Sequence, residues 1–177
     1  MLTRRPGVTI APVPPNSVIF VCMGNICRSP MAALVFRHEL AQAGIDGVTV
    51  ASAGTGSWHV GDPADRRAQA ALRRRGYPTE HQAQQFRPEW FDTFDLVVAM
   101  DRDNQRDLRR LAPTRPQGDA VRLMLEFDPL AEGLDVPDPY YGGADEFDGV
   151  LTQIESACRG LLSHLDAATP SAELSGA

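Results

Sequence analysis

The feature that most constrains this chain is a short apolar run that ends at a cysteine. Five residues separate this cysteine from an arginine. Residues 18–21 are β-branched or aromatic, which predicts a parallel strand buried on both faces. Ser29 and Pro30 predict the start of a helix, because proline is favoured in the first helical turn. The chain between them must turn tightly. We expect Gly24 at φ > 0 there, beside Asn25, which tolerates the left-handed region.

The loop between this strand and this helix predicts an anion site. A chain wound in this way presents backbone N–H groups and the positive end of a helix to one point. Arg28 adds a planar guanidinium that can bind two oxygens of a phosphate. The same surroundings favour the thiolate form of Cys22, so the pattern predicts attack of sulfur on phosphorus. The alternative is a buried cysteine that merely ends a strand, which leaves the Gly, Asn, Arg and Ser placement unexplained.

Length, charge and cysteine content exclude several classes of protein. The chain has 177 residues, enough for one domain with its own core, and its formal net charge of −6 argues against a nucleic-acid binder. Cys22, Cys27 and Cys158 do not make a disulfide framework, so we expect a cytoplasmic protein. No Cys or His spacing indicates a metal site, and no apolar run is long enough for a membrane span.

Strands that alternate with helices predict an α/β fold. We expect one three-layer sandwich, with a central four-stranded parallel sheet of order 2-1-3-4 and helices on both faces. Residues 17–167 are predicted to form this domain, after a disordered N-terminal arm (1–16) and before a flexible C-terminal tail (168–177). The predicted strands are 18–21, 48–53, 95–100 and 120–125, and the predicted helices are 29–43, 63–75, 88–94, 102–111 and 145–166.

A second motif supplies a proton donor, which the leaving oxygen of a phosphate ester needs. The long polar loop 126–143 contains the segment Asp138-Pro-Tyr-Tyr-Gly-Gly143. We interpret Asp138 as that donor; the alternative is an Asp-Pro pair that only forms a turn. Tyr140, and Trp58 on another loop that follows a strand, are candidate walls of a substrate slot, with ordinary packing as the alternative.

The two motifs together resemble the low-molecular-weight protein tyrosine phosphatase family. The likeness rests on Cys22-Met-Gly-Asn-Ile-Cys-Arg-Ser-Pro30 and on Asp138-Pro-Tyr-Tyr-Gly142, and it covers about residues 17–165. It implies a phosphoric monoester hydrolase that needs no cofactor and acts on phosphotyrosine-containing proteins. A cognate tyrosine kinase that makes those substrates is then a functional partner, and the enzyme itself is expected to be a monomer or a weak dimer.

The resemblance also implies a role for each candidate residue. Cys22 is the nucleophile that forms a phosphocysteine, Arg28 binds the phosphate, and Asp138 is the general acid and later the general base. Ser29 supports the thiolate, and Cys27 forms a reversible disulfide with Cys22. The other candidates line the phosphate and substrate site (Met23, Gly24, Asn25, Ile26, Trp58, Tyr140) or support it from behind (Ser52, His81).

Two other functions stay open from the sequence. Thiol-dependent arsenate reductases resemble this family and share the loop, but they recycle through additional cysteines, and this chain has only Cys158 outside the loop. The second alternative is a non-catalytic phosphotyrosine-binding protein on the same fold. A degraded nucleophile or acid would favour it, yet Cys22, Arg28 and Asp138 are all present. The arginines at 73–75 and at 109–110 are interpreted as solvated helix faces, with partner docking as the alternative.

Overall fold

A computed structural model of the chain describes residues 15–168. Within that range, four parallel strands form one sheet of order β2-β1-β3-β4, which confirms the predicted sheet. The strands are β1 (Ser17–Cys22), β2 (Thr49–Gly54), β3 (Leu96–Ala99) and β4 (Arg122–Leu123). The helices are α1 (Arg28–Gln42), α2 (Arg66–Arg74), α3 (Arg102–Leu111), α4 (Arg115–Asp119) and α5 (Ala144–Ala168), with 3₁₀ turns at Pro88–Phe91 and Met124–Phe127.

β1 lies at the centre of the sheet and is buried on both faces. Val18 and Phe20 pack into the core formed with α1, α2 and α5. Ile19 and Val21 pack on the opposite face, with Leu108 of α3. Because successive side chains of a strand point to opposite faces, a strand covered on both sides must be apolar at nearly every position. The predicted three-layer sandwich is therefore confirmed.

The region around β4 differs from the prediction. β4 spans two residues instead of 120–125, because the chain leaves the sheet at once in the 3₁₀ turn. Glu126 fixes this turn, since its Oε1 accepts the backbone N–H of Leu123 at 2.9 Å. The short helix α4 lies just before it, where no element was predicted. A strand that pairs at only two positions carries too little sequence pattern to set its bounds.

The arginine cluster at the end of α2 is exposed, as predicted, and it also contacts α5. Arg74 Nη2 donates to both carboxylate oxygens of Asp148, at 2.8 and 2.9 Å. Arg75 pairs with Glu155, whose side chain is 14% exposed. These contacts hold the end of α2 against α5, which is far from it in the sequence.

The ends of the predicted domain are only partly described. Of the predicted arm, residues 15 and 16 are described, and the Asn16 N–H donates to Asp95 Oδ2 at 2.9 Å. The rest of the arm, and the tail beyond Ala168, lie outside the described residues. In the part that is described, every helix is too short or too polar to cross a bilayer.

Candidate active site

A cavity of about 360 Å³ opens beyond the carboxyl ends of β1 and β2. This is where ligands bind in parallel α/β sheets. His59 and Tyr141 take part in its lining. The other lining residues are all predicted site residues: Cys22, Met23, Gly24, Ile26, Cys27, Arg28, Trp58, Asp138 and Tyr140.

Asn25 lies behind this cavity and holds the loop between β1 and α1 in shape. Its φ is 55°, in the left-handed region. Its Nδ2 donates to Ser29 Oγ and to Ser52 Oγ, both at 2.9 Å. The predicted positive φ at Gly24 is wrong, because the left-handed turn falls on Asn25 instead. Gly24 has a different constraint: a Cβ there would lie 3.2 Å from Cδ2 of His59.

His81 supports Asn25 from the loop that follows α2. Its Nε2 lies 2.7 Å from the carbonyl oxygen of Asn25. Burial lowers the pKa of His81, and the positive charge of Arg37 lowers it further, against the opposing effect of the bond to Asn25. The ring is therefore neutral near pH 7, and its Nε2–H donates to the carbonyl. Gln84 completes this support, since its N–H donates to Asn25 Oδ1 at 2.9 Å.

The sulfur of Cys22 lies at the floor of the cavity, with the residue 3% exposed. It accepts the backbone N–H of Asn25 at 3.3 Å and lies 3.0 Å from Ser29 Oγ. The Ser29 hydroxyl is also 3.2 Å from the carbonyl oxygen of Ala53, so its single hydrogen can turn to either acceptor. A negative charge on the sulfur would attract that hydrogen and be stabilised by it.

Arg28 is 2% exposed, and three partners hold its guanidinium. Nη1 donates to Asp101 Oδ2 at 2.5 Å and to the carbonyl oxygen of Val136 at 3.1 Å, and Nη2 donates to Asp138 Oδ2 at 3.2 Å. Burial alone would lower the pKa of Arg28, but the negative charges of Cys22 and of the two aspartates raise it. The guanidinium therefore stays charged inside the site.

Asp101 is a site residue that the sequence reasoning did not single out. It lies two residues after the end of β3 and caps the start of α3, where its Oδ1 accepts the backbone N–H of Asn104 at 2.7 Å. A signal for it was available. A carboxylate at the carboxyl end of the strand beside β1 is expected to lie near the loop that carries Arg28.

The predicted acid and the predicted walls lie at the mouth of the cavity. The side chain of Asp138 is 45% exposed, and its Oδ1 accepts the backbone N–H of Tyr140 at 3.2 Å. Tyr140 is 40% exposed and Trp58 73% exposed. The Trp58 ring lies directly on Gly56, because a Cβ at that glycine would be 1.8 Å from Cζ3 of the indole. Exposed rings on two different loops thus border the cavity.

The second cysteine of the loop differs from the first in its surroundings. Burial raises the pKa of Cys27 far above its ordinary value, and the nearby charges of Asp65 and Cys22 raise it further, so this thiol stays protonated. Cys22, Cys27 and Cys158 are all free thiols. Among residues 15–168, His, Cys, Asp and Glu side chains do not gather in any group of three or more that could hold a metal ion.

Comparisons with known proteins find relatives over most of the chain. The model of the family "Low molecular weight phosphotyrosine protein phosphatase" matches residues 17–171. A low molecular weight protein-tyrosine-phosphatase of Streptomyces coelicolor is 52% identical over 149 residues, which cover 82% of this chain and 91% of the relative. Low molecular weight protein-tyrosine phosphatase A of Mycobacterium tuberculosis is 48% identical over 155 residues, or 86% and 93% of the two chains. A protein tyrosine phosphatase crystal structure from Entamoeba histolytica superposes with a TM-score of 0.81 at 34% identity, covering 85% of this chain and 97% of that one. The chain therefore belongs to the low molecular weight phosphotyrosine protein phosphatase family, whose members are hydrolases.

Proposed function

We propose that the chain hydrolyses phosphotyrosine in proteins, and small aryl phosphates, through a phosphocysteine formed on Cys22. The observation that carries this proposal is a single cavity lined by Cys22, Arg28 and Asp138, with the exposed rings of Trp58 and Tyr140 at its mouth. Transfer of a phosphoryl group from an aryl ester to a protein side chain requires a nucleophile, an anion binder and a proton donor. These three side chains supply them in that order.

In the first step, the phosphate dianion binds to the guanidinium of Arg28 and to N–H groups of the loop 23–28. The sulfur of Cys22 attacks phosphorus, and the S–P bond forms while the bond from phosphorus to the phenolic oxygen breaks. The electron pair of the broken bond stays on that oxygen, which takes a proton from Asp138. Before the attack, the thiolate is stabilised by the Ser29 hydroxyl at 3.0 Å and by the Asn25 N–H at 3.3 Å.

In the second step, water attacks the phosphorus of the phosphocysteine from the side that the phenol has left. Asp138, now ionised, takes a proton from the water. The S–P bond breaks, and its electron pair returns to Cys22. The same Ser29 and Asn25 donors stabilise the charge that develops on the departing sulfur, and inorganic phosphate is released.

The aromatic residues at the mouth support phosphotyrosine as the substrate. An aryl ring that enters between Trp58 and Tyr140 gains apolar contact on both sides and brings its phosphate down to the buried sulfur. A phosphoserine side chain is too short to reach a sulfur at this depth while its backbone stays outside. We therefore propose phosphotyrosine in proteins as the substrate class.

The surroundings of Cys158 favour this reaction over arsenate reduction. Cys158 is fully buried in α5, its Sγ lies 3.8 Å from the carbonyl oxygen of Ala32, and it is absent from the lining of the cavity. Burial raises its pKa well above the ordinary value, so it is a poor thiolate for a redox relay. The intact set of Cys22, Arg28 and Asp138 likewise supports catalysis over binding alone.

For the cellular setting, we propose the cytoplasm and a cognate tyrosine kinase that supplies the phosphorylated substrates. Three free cysteines suit a reducing compartment. The state of association stays a prediction, namely a monomer or a weak dimer.

Quenched turnover of the purified full chain tests the proposed function. We expect hydrolysis of p-nitrophenyl phosphate and of a phosphotyrosine peptide, and mass spectrometry of the quenched enzyme should find phosphate on Cys22. Cys22→Ser should lose more than about a thousandfold in kcat, because the nucleophile acts as a unit with its partners. Asp138→Ala should lose about a hundredfold or more with poor leaving groups. Cys158→Ala is the control and should keep its activity. Turnover that survives Cys22→Ser would overturn the proposal.

A further inference from the structure

One side chain at the start of α2 contacts the loop that carries the proposed acid, and the mechanism above does not use it. Nη1 of Arg67 donates to the carbonyl oxygen of Gly142 at 2.8 Å. The same guanidinium lies over the ring of Tyr140, 5.7 Å from the ring centroid, and over the ring of Phe147, at 4.8 Å. Arg67 therefore contacts both the segment 138–143 and the helix that follows it.

Asp65 fixes the guanidinium of Arg67 in this place. Its Oδ1 accepts Nε at 3.0 Å, and its Oδ2 accepts Nη2 at 2.9 Å. The hydrogen bonds from Arg67 lower the pKa of Asp65, so the pair is charged at neutral pH. Asp65 is in turn bonded to the phosphate loop, because its backbone N–H donates to the carbonyl oxygen of Ile26 at 2.8 Å. A continuous set of contacts thus joins Ile26 to Gly142.

The loop that carries Asp138 has a second attachment at its other end. The Val136 N–H donates to the carbonyl oxygen of Met100 at 2.8 Å, directly after β3. Between these two attachments the backbone bonds are local: Tyr140 N–H to Asp138, and Gly142 N–H to Pro139 at 2.8 Å. Arg28 Nη2 also contacts Asp138 within this segment, at 3.2 Å. Loss of the attachment at Gly142 would remove the contact of the segment with α2, so that Arg28 alone would hold the Asp138 side chain from outside the segment.

We propose that Arg67 is a positioning residue that sets Asp138 and Tyr140 relative to Cys22. This inference rests on the proposed function, since the position of Asp138 matters only if it protonates a leaving oxygen. The side chain of Arg67 is 38% exposed, and a partly exposed ion pair contributes little to stability by itself. Its effect should therefore be seen in the reaction more than in unfolding. Lysine cannot replace it fully, because lysine lacks the planar fork that binds Asp65 and Gly142 together.

Two esters with different leaving groups separate positioning from a general structural role. We expect Arg67→Ala to lower kcat/KM about tenfold or more for phenyl phosphate, whose leaving oxygen needs the proton of Asp138. For 2,4-dinitrophenyl phosphate, which leaves without that proton, the loss should stay below about twofold. Arg67→Lys should fall between Arg67→Ala and the wild type. Arg66→Ala is the matched control, because Arg66 is the exposed neighbour on the same helical turn, and both of its rates should equal those of the wild type.

Hydrogen exchange of the segment 138–143 provides a second measurement that does not need turnover. Arg67→Ala should speed exchange in this segment, and Arg66→Ala should not. Equal losses with the two esters, or unchanged exchange in Arg67→Ala, would overturn the inference. Failure of the wild type to hydrolyse either ester would instead contradict the proposed function, and unchanged exchange would then still show that Arg67 does not hold the loop.

Discussion

Arg28 and Asp101 are 73 positions apart in the chain, yet the guanidinium of one donates to Oδ2 of the other deep inside the site. The two carboxylate oxygens of Asp101 bind different groups. Oδ1 accepts the backbone N–H of Asn104 at the start of α3, and Oδ2 holds Arg28. The orientation of the proposed phosphate binder is therefore tied to the first turn of a helix on the opposite face of the sheet.

We predict that Asp101→Asn lowers kcat/KM for p-nitrophenyl phosphate by about tenfold or more, since a hydrogen bond to a charged group contributes about 1.5–3 kcal/mol. Asparagine caps helices about as well as aspartate, so thermal stability should change little. The measurement is steady-state kinetics beside a thermal melt. Asp103→Asn, on the exposed side of the same helical turn, is the control and should behave as the wild type. Equal kinetics in the two variants would show that Asp101 does not orient Arg28.

Gly56→Ala should displace the ring of Trp58, because the added Cβ would lie 1.8 Å from Cζ3 of the indole. We expect KM for aryl phosphates to rise about fivefold with kcat nearly unchanged, the pattern for loss of an interaction made equally in ground and transition states. Kinetics with p-nitrophenyl phosphate and the tryptophan emission spectrum measure the effect. An unchanged KM together with a shifted spectrum would remove Trp58 from substrate binding.

Two glycines of α5 should respond to alanine in opposite ways. A Cβ at Gly160 would lie 1.7 Å from the carbonyl oxygen of Phe127, so Gly160→Ala must push the helix from the 3₁₀ turn and should cost about 1–3 kcal/mol of unfolding free energy. Gly149 is exposed and has open space around it, so Gly149→Ala should add about 0.5–1 kcal/mol through helix propensity. Urea unfolding of both variants measures the difference. A stable Gly160→Ala would mean that the close approach of α5 is not required.

The stability of the fold should fall as pH drops below about 6.5, the ordinary pKa of histidine. Burial lowers the pKa of His81 in the folded chain, so the unfolded chain binds a proton more readily. The contribution of His81 to stability is fully present above pH 6.5, and it is lost as pH falls through the lowered pKa of His81 in the folded chain. Asp65, whose pKa is lowered from 3.8, acts only in a more acidic range. Thermal melts from pH 7.5 to 5 test this, with the range chosen around the ordinary value of histidine.

His81→Gln is the variant for this test, since an amide N–H can still donate to the carbonyl oxygen of Asn25 without titrating. It should flatten the pH dependence between the ordinary and the lowered pKa of histidine. His164→Gln, at an exposed position, should keep the slope of the wild type. A steep slope that survives in His81→Gln would assign the pH dependence to other groups.

The central strands were predictable because a sheet covered on both faces demands apolar residues at nearly every position. The segments 18–21 and 95–100 carry that pattern, and they correspond to β1 and β3. β4 escaped accurate prediction because its pairing with β3 covers only Arg122 and Leu123. The 3₁₀ turn that ends β4 is fixed by a hydrogen bond between the Leu123 N–H and the side chain of Glu126, a contact that no periodic pattern records.

The proposed nucleophile, phosphate binder and acid could be predicted because each stands in a local motif whose residue types carry the chemistry. Arg67 could not, since it is an ordinary charged residue until the fold brings its partner near, whereas the position of Asp101 after a strand beside β1 was a signal that went unused. Arg67 is one of 17 basic residues, and its contact at Gly142 lies 75 positions away. Of the two residues named for the left-handed turn, Gly24 and Asn25, the turn falls on Asn25, because Asn25 gains buried hydrogen bonds there that offset its backbone strain.

The hydrogen bond from Arg28 Nη2 to Asp138 gives the guanidinium a counter-ion from within the site. A dianion that binds to Nη2 would displace this aspartate from the guanidinium, while Asp101 stays hydrogen-bonded to Nη1. The displaced carboxyl group is then left at the cavity mouth, beside the ester oxygen of the incoming molecule. Binding of the phosphate and release of the proposed acid, Asp138, would thus be one exchange of partners at Arg28.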